Sequence, residues 1–256
     1  MKNISARNMR SYHEQYWYAE HVLTDFLDID NSAPLNICEI GPAEGGALKY
    51  FAERGHRCFG IEFSDNRHEN SIILNDGLNI KFIKGDITRP DTYSEDINEK
   101  MDVIICRDVI EHIDQDKKLT ALRNMTELLK PGGRIFLSFP PKYSPYAGHQ
   151  QTAASVWVKL PYIFLLPDKI YAAYLKFRKI SSAKIEGLLR VKSNRISINN
   201  FEKIVKSTGL ELTKRQFYII RPAHENRYKT KRIKQPFGKI FREWLSTGAL
   251  YCLKKN

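Results

Sequence analysis

Two histidines and two carboxylates have the residue types and spacing for acid-base or metal chemistry. Asp108, Glu111 and His112 lie close together, and His149 lies in a turn-rich segment farther along the chain. Histidine can take up a proton near neutral pH, so His149 and His112 are candidate general bases. Oxygen and nitrogen ligands at one strand end also suit a divalent cation such as magnesium or zinc. Helix caps, salt bridges and a structural hydrogen bond from histidine are equally compatible with these residues.

A turn of small residues is a second candidate site. The stretch Glu39-Ile-Gly-Pro-Ala-Glu-Gly45 follows a short apolar run. Gly41 and Gly45 lack a Cβ, so the backbone there can come close to a bound ligand. Ala43 stands where a Gly-x-Gly-x-x-Gly pattern has its middle glycine, and an alanine can be accommodated there if its φ stays negative. Taken alone, the pattern is also compatible with a turn that binds nothing.

An acid followed by an aromatic residue ends the next apolar run. Glu62 closes the stretch Arg57-Cys-Phe-Gly-Ile-Glu62, and Phe63 follows it directly. A carboxylate at this point of a strand-helix-strand unit can accept hydrogen bonds from the two hydroxyls of a ribose. An adjacent aromatic ring can stack on a base. The pair therefore indicates a ligand that contains a nucleoside.

Strands alternate with helices along residues 36–139, and this order positions the candidate residues. Apolar residues recur at every third or fourth position from Tyr12 to Leu27, which predicts a helix that packs on the core, although its Tyr16-Trp-Tyr18 stretch could close over a ligand. The alternation is typical of a parallel, doubly wound α/β sheet, which binds ligands at the carboxyl ends of its strands. The strands are expected at 36–40, 57–62, 79–84, 101–106 and 134–139, followed by two more at 210–220 and 249–254.

These segments resemble, in order, the motifs of class I S-adenosylmethionine-dependent methyltransferases, in the small-molecule group related to ubiquinone-biosynthesis methyltransferases. The resemblance covers roughly residues 35–140. It implies a Rossmann-like sheet of seven strands, the last of them antiparallel, with a helical insertion after strand five and S-adenosyl-L-methionine as cofactor. A nicotinamide-dependent oxidoreductase would share the acid after strand two, but the missing middle glycine argues against it. Besides the small-residue turn, the resemblance rests on Gly60-Ile-Glu-Phe63, Gly85-Asp-Ile87, Asp108-Val-Ile-Glu-His-Ile113 and Leu129-Lys-Pro-Gly-Gly-Arg-Ile-Phe136.

The resemblance implies a place for the methionine and ribose parts of the cofactor. The turn from Glu39 to Gly45, with Gly41 and Ala43 inside it, would hold the methionine part. Glu62 would hold the ribose.

The resemblance also implies a place for the adenine and the sulfonium. Phe63 and Ile87 would cover the two faces of the adenine, and Asp86 would bind its amino group. Arg107 or Asp108 would lie near the sulfonium, where the acceptor must also bind.

Composition limits the class of protein. Residues 1–17 contain no continuous apolar stretch, so we expect no secretory leader and a cytoplasmic location. The chain is long enough to bury an apolar core. Four cysteines lie in apolar runs, which predicts small buried side chains instead of disulfides or a zinc site. They are Cys38, Cys58, Cys106 and Cys252.

The two parts of the chain carry opposite net charge. Residues 1–140 contain 17 Lys and Arg against 23 Asp and Glu, a net charge of −6, whereas residues 141–256 contain 24 against 6, a net charge of +18. A basic half suits a phosphate-bearing acceptor, a nucleic acid or an anionic membrane surface. Solvated lysines that serve solubility are the alternative.

The residues after Pro140 are expected to select the acceptor. Residues 140–151 form a turn-rich loop that leaves strand five above the crevice and contains His149. Residues 156–180 are apolar and aromatic but interrupted by prolines and charges, which predicts one or two helices and no membrane span. Apolar and basic residues here fit a lipid-linked or phosphate-bearing acceptor and peripheral membrane contact, with a homodimer or core contact as the alternative.

We therefore expect three segments. Residues 1–140 contain the N-terminal cap helix and the S-adenosylmethionine-binding core, and residues 141–199 contain the acceptor loop and a helical lid. Residues 200–256 complete the same sheet and include a basic connector at 221–242.

The predicted activity is methyl transfer from S-adenosylmethionine to a hydroxyl of a small molecule, saccharide or lipid-linked acceptor. His149 is the first candidate base and His112 its rival. RNA methylation is the alternative activity, although the sequence has no recognised RNA-binding module and no Asn/Asp-Pro-Pro-aromatic motif. A non-catalytic protein that binds the cofactor is the third possibility.

Overall fold

One sheet of eight strands runs through the described part of the chain. The computed structural model describes residues 4–30, 32–150, 155–236 and 238–256. The strands are β1 (Asn36–Ile40), β2 (Arg57–Glu62), β3 (Ile80–Lys84), β4 (Met101–Arg107), β5 (Leu129–Phe139), β6 (Glu211–Ile220), β7 (Ile233–Lys234) and β8 (Gly248–Lys254). Their order across the sheet is β3-β2-β1-β4-β5-β8-β6-β7.

Helices connect these strands and precede the first of them. A π-helical turn at Ala19–Leu23 joins the first two helices into one continuous segment. The helices are α1 (Ala6–Tyr18), α2 (Thr24–Leu27), α3 (Gly46–Ala52), α4 (Asp65–Leu74), α5 (Lys118–Leu128), α6 (Asp168–Phe177), α7 (Ser182–Asn194), α8 (Ile198–Lys206), α9 (Pro222–Tyr228) and α10 (Lys239–Leu245).

The predicted doubly wound sheet is confirmed, with a difference in strand count. Neighbouring strands from β1 to β5 pair in parallel, and β8 pairs antiparallel with both β5 and β6. The sequence predicted seven strands, whereas the sheet of the described residues has eight. The additional strand is β7. β7 has only two residues, which pair with Tyr218 and Ile220 of β6. A strand this short shows too little alternation to be predicted from sequence.

The two faces of the sheet bury different apolar clusters. Ile104 and Cys106 of β4 pack in one cluster, and Val103 and Ile105 pack in the other. Successive side chains of a strand point to opposite faces, so β4 must be apolar throughout. All four side chains are buried. This continuous apolar run fixes β4 in the centre of the sheet, with its polar end residues at the edge where a ligand can bind.

The N-terminal helical segment packs on the core as predicted. Val22, Leu23, Phe26 and Leu27 are buried in the same cluster as β1 and α3. Helical spacing places these side chains on one face. The segment therefore covers one face of the sheet.

The insertion after β5 has an apolar cluster of its own. Phe164, Tyr171, Leu175 and Leu188 are buried together there. This agrees with the helices expected in residues 156–180. Gln151, the last residue of the predicted acceptor loop, lies outside the described residues.

The predicted cysteine environment is confirmed, whereas the start of strand five is not. All four cysteines are buried and free. β5 begins at Leu129, five residues before the predicted start at Arg134. Leu129 pairs with Met101 across an irregular step in the register, and an irregularity of this kind leaves no periodic pattern in the sequence.

Candidate active site

A cavity of about 690 Å³ opens at the carboxyl ends of β1, β2 and β4. Ile40, Ile61 and Arg107, at or next to the ends of these strands, line it. β1 lies between β2 and β4, so the order of the strands reverses at this position. Open α/β sheets bind ligands at such a point. The cavity thus lies where the sequence predicted the crevice.

The turn after β1 requires glycine at its first position. Gly41 has φ +67°, and its N–H donates to the carbonyl oxygen of Ile61 at 2.9 Å. A Cβ on Gly41 would lie 2.7 Å from Cγ2 of Val109, which is closer than two carbon atoms can pack. Both the backbone angle and the neighbouring side chain therefore exclude a larger residue.

Ala43 has a backbone conformation that the sequence did not predict. The condition of a negative φ is not met, because φ is +52°. The N–H of Ala43 donates to Oε2 of Glu62 at 3.0 Å, and this bond helps to hold the residue in the left-handed region. A left-handed residue with a Cβ costs about 1–2 kcal/mol. The turn therefore keeps a glycine-like path despite the alanine.

Glu62 connects two turns that border the cavity. Its Oε2 accepts from Ala43, and its Oε1 accepts from the N–H of Ser64 at 2.8 Å. The residue is 4% exposed and lines the cavity. Each carboxylate oxygen has a second lone pair, so Glu62 can still accept hydrogen bonds from a ligand.

Phe63, Asp86 and Ile87 also line the cavity. Phe63 is 70% exposed, so one face of its ring is available for stacking. Oδ1 of Asp86 accepts from the N–H of Thr88 at 2.8 Å, which leaves the other carboxylate oxygen for a ligand. Asn124 donates to the carbonyl oxygen of Ile87 at 2.7 Å and fixes this turn.

Glu39 and Gly45 lie behind the cavity wall instead of lining it. A Cβ on Gly45 would lie 2.7 Å from the ring of Phe82, so this glycine serves close packing. Glu39 is 2% exposed, and Oε2 has no hydrogen-bond partner among the described residues. Burial raises the pKa of Glu39 to about 7, against the opposing effect of Arg107. The sequence assigned both residues to the cofactor, and that assignment stays a prediction.

Asp108 is held by an arginine from the C-terminal part of the chain. Nη1 of Arg221 donates to both Asp108 oxygens at 3.1 and 3.0 Å, and Ser138 Oγ donates to Oδ1 at 3.3 Å. Burial raises the pKa of Asp108, but Arg221 and Arg107 outweigh it and hold that pKa below its usual value. The guanidinium of Arg107 lies 4.7 Å from the centre of the Tyr18 ring. Asp108 is therefore a charged anchor, and both arginines line the cavity with it.

We expect Arg221→Ala to lower the free energy of unfolding by about 2 kcal/mol, because it leaves the Asp108 carboxylate without its charged partner. Denaturant unfolding followed by circular dichroism measures the change. Arg227→Ala is the control, since the Arg227 side chain is more exposed than that of Arg221, at 50% against 23%, and its pair with Glu14 should contribute less than about 1 kcal/mol. Equal effects of the two substitutions would contradict the special role of Arg221.

Glu111, His112 and His149 meet at one end of the cavity. One ligand atom from each side chain lies within 4.8 Å of the others. The rings of His112 and His149 pack edge to face with their centres 5.0 Å apart. Glu111 is fully buried, and neither of its carboxylate oxygens has a hydrogen-bond partner among the described residues. The buried Nζ of Lys118 donates to the carbonyl oxygens of Ile110 and Ile113 and so fixes the turn that carries Glu111.

The environment keeps both histidines neutral at pH 7. Burial, together with the nearby His112 and Arg221, lowers the pKa of His149 to about 4. Burial also lowers the pKa of His112. Burial next to the Asp108 carboxylate raises the pKa of Glu111 well above its usual value. One ring nitrogen of a neutral imidazole carries a lone pair that can accept a proton or bind a cation.

The sequence suggested Asp108, Glu111 and His112 as ligands of a cation. The cluster in the structure differs from that set in one member. Asp108 pairs with Arg221 instead, and His149 takes its place beside Glu111 and His112. Sequence reasoning also missed Arg221 and Lys118 as site residues. No local signal could have identified Arg221, because 113 residues separate it from Asp108.

Two exposed arginines border the same end of the cavity. Arg67 lies in the first turn of α4, and Arg190 lies in α7 of the insertion. Trp17 and Tyr18 of the N-terminal segment also line the cavity, as the sequence allowed. Residues of α1, α4 and α7, which are far apart in sequence, thus line the same cavity.

The fold and the site define a class of protein. A model of the methyltransferase domain matches residues 10–215 of this chain. The chain belongs to this family, and the motif-based identification as a class I S-adenosylmethionine-dependent methyltransferase is confirmed, together with its cofactor.

Solved structures share the fold at low sequence identity. The PH0226 protein from Pyrococcus horikoshii OT3 is 13% identical, with a TM-score of 0.59 over 96% of this chain and 91% of that one. The plantazolicin methyltransferase BamL, crystallised with SAH, is 12% identical, with a TM-score of 0.56 over 97% and 84%. Magnesium protoporphyrin IX methyltransferase from Synechocystis PCC 6803 is 13% identical, with a TM-score of 0.54 over 100% and 90%. These likenesses show the fold alone.

Two further observations complete the comparison. No curated protein sequence matches this chain significantly. Among the described residues, no helix is long and apolar enough to cross a membrane.

Proposed function

We propose that this protein transfers the methyl group of S-adenosylmethionine to a hydroxyl group of a small-molecule acceptor. One observation carries the proposal: Glu62, Phe63 and Asp86 line the same cavity as His112 and His149. The first three suit a nucleoside, and the two histidines suit a hydroxyl that must lose its proton. A cavity that joins the two kinds of residue can hold both reactants side by side.

The turns described above support a definite cofactor position. Glu62 would accept hydrogen bonds from the ribose hydroxyls, and the adenine would lie between Phe63 and Ile87 with its amino group on Asp86. The methionine part would lie along the turn that contains Gly41, where the absence of a Cβ leaves the backbone accessible.

Arg107 and Asp108 would border the sulfonium. The pairing of Asp108 with Arg221 keeps its carboxylate ionised, which suits a position near a positively charged sulfur. Tyr18, stacked on Arg107, would close the same region from the N-terminal segment.

Methyl transfer needs alignment and proton removal. The acceptor oxygen forms a bond to the methyl carbon while the carbon–sulfur bond breaks, and the bonding electrons leave with sulfur to give a neutral thioether. The acceptor proton passes to His149, which is neutral and lines the cavity next to Glu111. His112 is the rival base. In-line alignment of the reacting groups supplies the rest of the acceleration.

A divalent cation is a second candidate feature of the same site. Glu111 is a buried carboxylate without a hydrogen-bond partner among the described residues, and two neutral imidazoles lie beside it. One carboxylate and two imidazoles fit zinc, since magnesium prefers oxygen ligands, and a zinc ion would make a bound hydroxyl more acidic. Two observations support a cation here. The Glu111 carboxylate has no hydrogen-bond partner among the described residues, and the three side chains supply ligand atoms that metal ions bind.

If zinc completes the site, dialysis against EDTA should abolish turnover and ZnCl₂ should restore it. Calorimetry of cofactor binding before and after dialysis is the control, because Glu62 and Asp86 do not belong to the cluster. If EDTA leaves turnover unchanged, no cation is needed, and a side chain alone removes the acceptor proton.

The acceptor class follows from the charge at the cavity entrance. Arg67 and Arg190 lie there with no ion-pair partner among the described residues, which favours an acceptor with a phosphate or carboxylate group. BamL and the magnesium protoporphyrin IX methyltransferase are named for small-molecule substrates, which supports a small acceptor here. RNA methylation remains the alternative activity.

Transfer of a labelled methyl group tests the proposal. The enzyme is incubated with methyl-labelled S-adenosylmethionine and separate pools of phosphorylated saccharides, lipid intermediates and RNA. Label in a small molecule that hydriodic acid releases as methyl iodide, and that mild base does not release as methanol, supports methylation of a hydroxyl. Label confined to RNA, or cofactor binding without transfer to any pool, contradicts it.

A further inference from the structure

Four large apolar side chains are exposed on one side of the insertion. The exposed fractions are 78% for Phe177, 73% for Val156, 60% for Trp157 and 56% for Ile170. We call these four residues the α6 surface. Patches of this kind, surrounded by polar residues, mark sites of interaction.

The members of the α6 surface lie side by side. Ile170 and Phe177 are seven residues apart on α6 and so share one face of the helix. The hydroxyl of Tyr174 donates to the carbonyl oxygen of Trp157 at 2.9 Å. The guanidinium of Arg178 lies 5.8 Å from the centre of the Trp157 ring. These two contacts hold the segment with Trp157 against α6, so the apolar side chains form one patch.

The insertion does not use this patch for its own core. Tyr171 and Leu175 point inward from α6 and pack with Phe164 and Leu188. All four of these side chains are at most 2% exposed. The core of the insertion is therefore complete without the α6 surface.

Positive charge surrounds the α6 surface. Residues 156–179 contain five Lys and Arg residues and one acidic residue, Asp168. Asp168 is paired with Lys192 at 2.6 Å, so it does not neutralise the other cations. Lys169, Lys176 and Lys179 are exposed. In a two-fold contact with a second copy of the chain, these cations would face one another, which disfavours a homodimer through this patch.

We propose that the α6 surface docks on the surface of a bilayer that contains anionic phospholipid. Aromatic side chains are favoured at the boundary between head groups and acyl chains, and nearby cations attract the anionic head groups. α6 would lie on the membrane instead of crossing it. Arg190 of α7 lines the cavity, so the insertion that docks on the membrane would also form part of the proposed acceptor site.

Vesicle co-sedimentation tests the proposal. The full chain should sediment with vesicles of phosphatidylglycerol and phosphatidylcholine, bind phosphatidylcholine vesicles at least about tenfold more weakly, and lose affinity in high salt. Trp157→Ser with Phe177→Ser should reduce binding by about tenfold or more, because the apolar contacts are lost. Lys169→Gln with Lys176→Gln should reduce binding by about fivefold per charge.

Ile72→Ser with Ile73→Ser is the matched control. These α4 side chains are also exposed, at 49% and 46%, but lie outside the insertion, so their replacement should leave vesicle binding unchanged. Calorimetry of cofactor binding checks that each variant is folded.

Two results would overturn the proposal. One is a wild-type protein that stays in solution with anionic vesicles. The other is a concentration-dependent dimer in sedimentation equilibrium that Trp157→Ser with Phe177→Ser abolishes, which would assign the patch to a second copy. Neither result depends on the acceptor or on the methyl transfer itself.

Discussion

Replacement of His149 by alanine should lower kcat by about 10²- to 10⁴-fold, the range for loss of a positioned general base. Cofactor affinity should be retained, because the turns that carry Glu62 and Asp86 are held by their own hydrogen bonds. Single-turnover transfer of a labelled methyl group measures the rate, and calorimetry with S-adenosylhomocysteine measures the affinity.

His112→Ala and Glu111→Gln identify the group that takes the proton. If His112→Ala abolishes turnover and His149→Ala is nearly wild type, the base is His112. If only Glu111→Gln abolishes turnover, the carboxylate is the base. If none of the three substitutions lowers turnover, alignment alone carries the catalysis and the histidine hypothesis is wrong.

If turnover survives EDTA, its pH profile separates the same candidates. The pKa of His149 is lowered to about 4 by burial, by His112 and by Arg221, so this residue is already unprotonated throughout the range near neutral pH. Turnover that depends on His149 should therefore stay level from about pH 8 down to about pH 6. The pKa of Glu111 is raised by burial and by Asp108, so turnover that depends on its carboxylate should fall as the pH falls over that range.

Glu62→Ala should weaken cofactor binding by about 1.5–3 kcal/mol, or roughly 10- to 150-fold in Kd. The substitution removes the proposed acceptor of the ribose hydroxyls. It also removes the acceptor of the N–H groups of Ala43 and Ser64, so the two turns lose their common partner. Calorimetry with S-adenosylhomocysteine gives the affinity, and thermal unfolding without cofactor gives the structural part of the effect.

Asp65→Ala is the control for this experiment. Asp65 is an exposed acid at the start of α4 that pairs with Lys84 and does not line the cavity. Its replacement should leave Kd unchanged. If Glu62→Ala also leaves Kd unchanged, the ribose does not bind to Glu62 at the end of β2.

The sheet could be predicted because its evidence is local. The apolar runs at β1, β2 and β4, each followed by an acid or a small-residue turn, gave the strand positions to within about one residue. Once the strands were assigned, the rule for ligand position in parallel sheets placed Glu62, Asp86 and residues 107–112 at one edge. The cavity lies at that edge.

The polar partners could not be predicted because they depend on distant segments or on backbone angles. Arg221 directly follows β6 and lies beside Asp108 because β8 and β6 pair at the side of β5, and its neighbours in sequence give no sign of that contact. Ala43 has a positive φ because Glu62 holds its N–H, whereas its residue type favours a negative φ. Lys118 is a lysine on an otherwise amphipathic helix, and only its burial reveals that it fixes the Glu111 turn.

The contact between Arg221 and Asp108 also bears on how activity is acquired during folding. It closes a loop of 113 residues, so its entropic cost must be met by strand pairing that precedes it. A chain in which β1 to β5 have formed but β8 and β6 have not would lack Arg221 beside Asp108, the carboxylate that we propose to lie near the sulfonium. Recovery of catalysis after dilution from denaturant should therefore come no earlier than recovery of the native secondary structure, which far-ultraviolet circular dichroism follows.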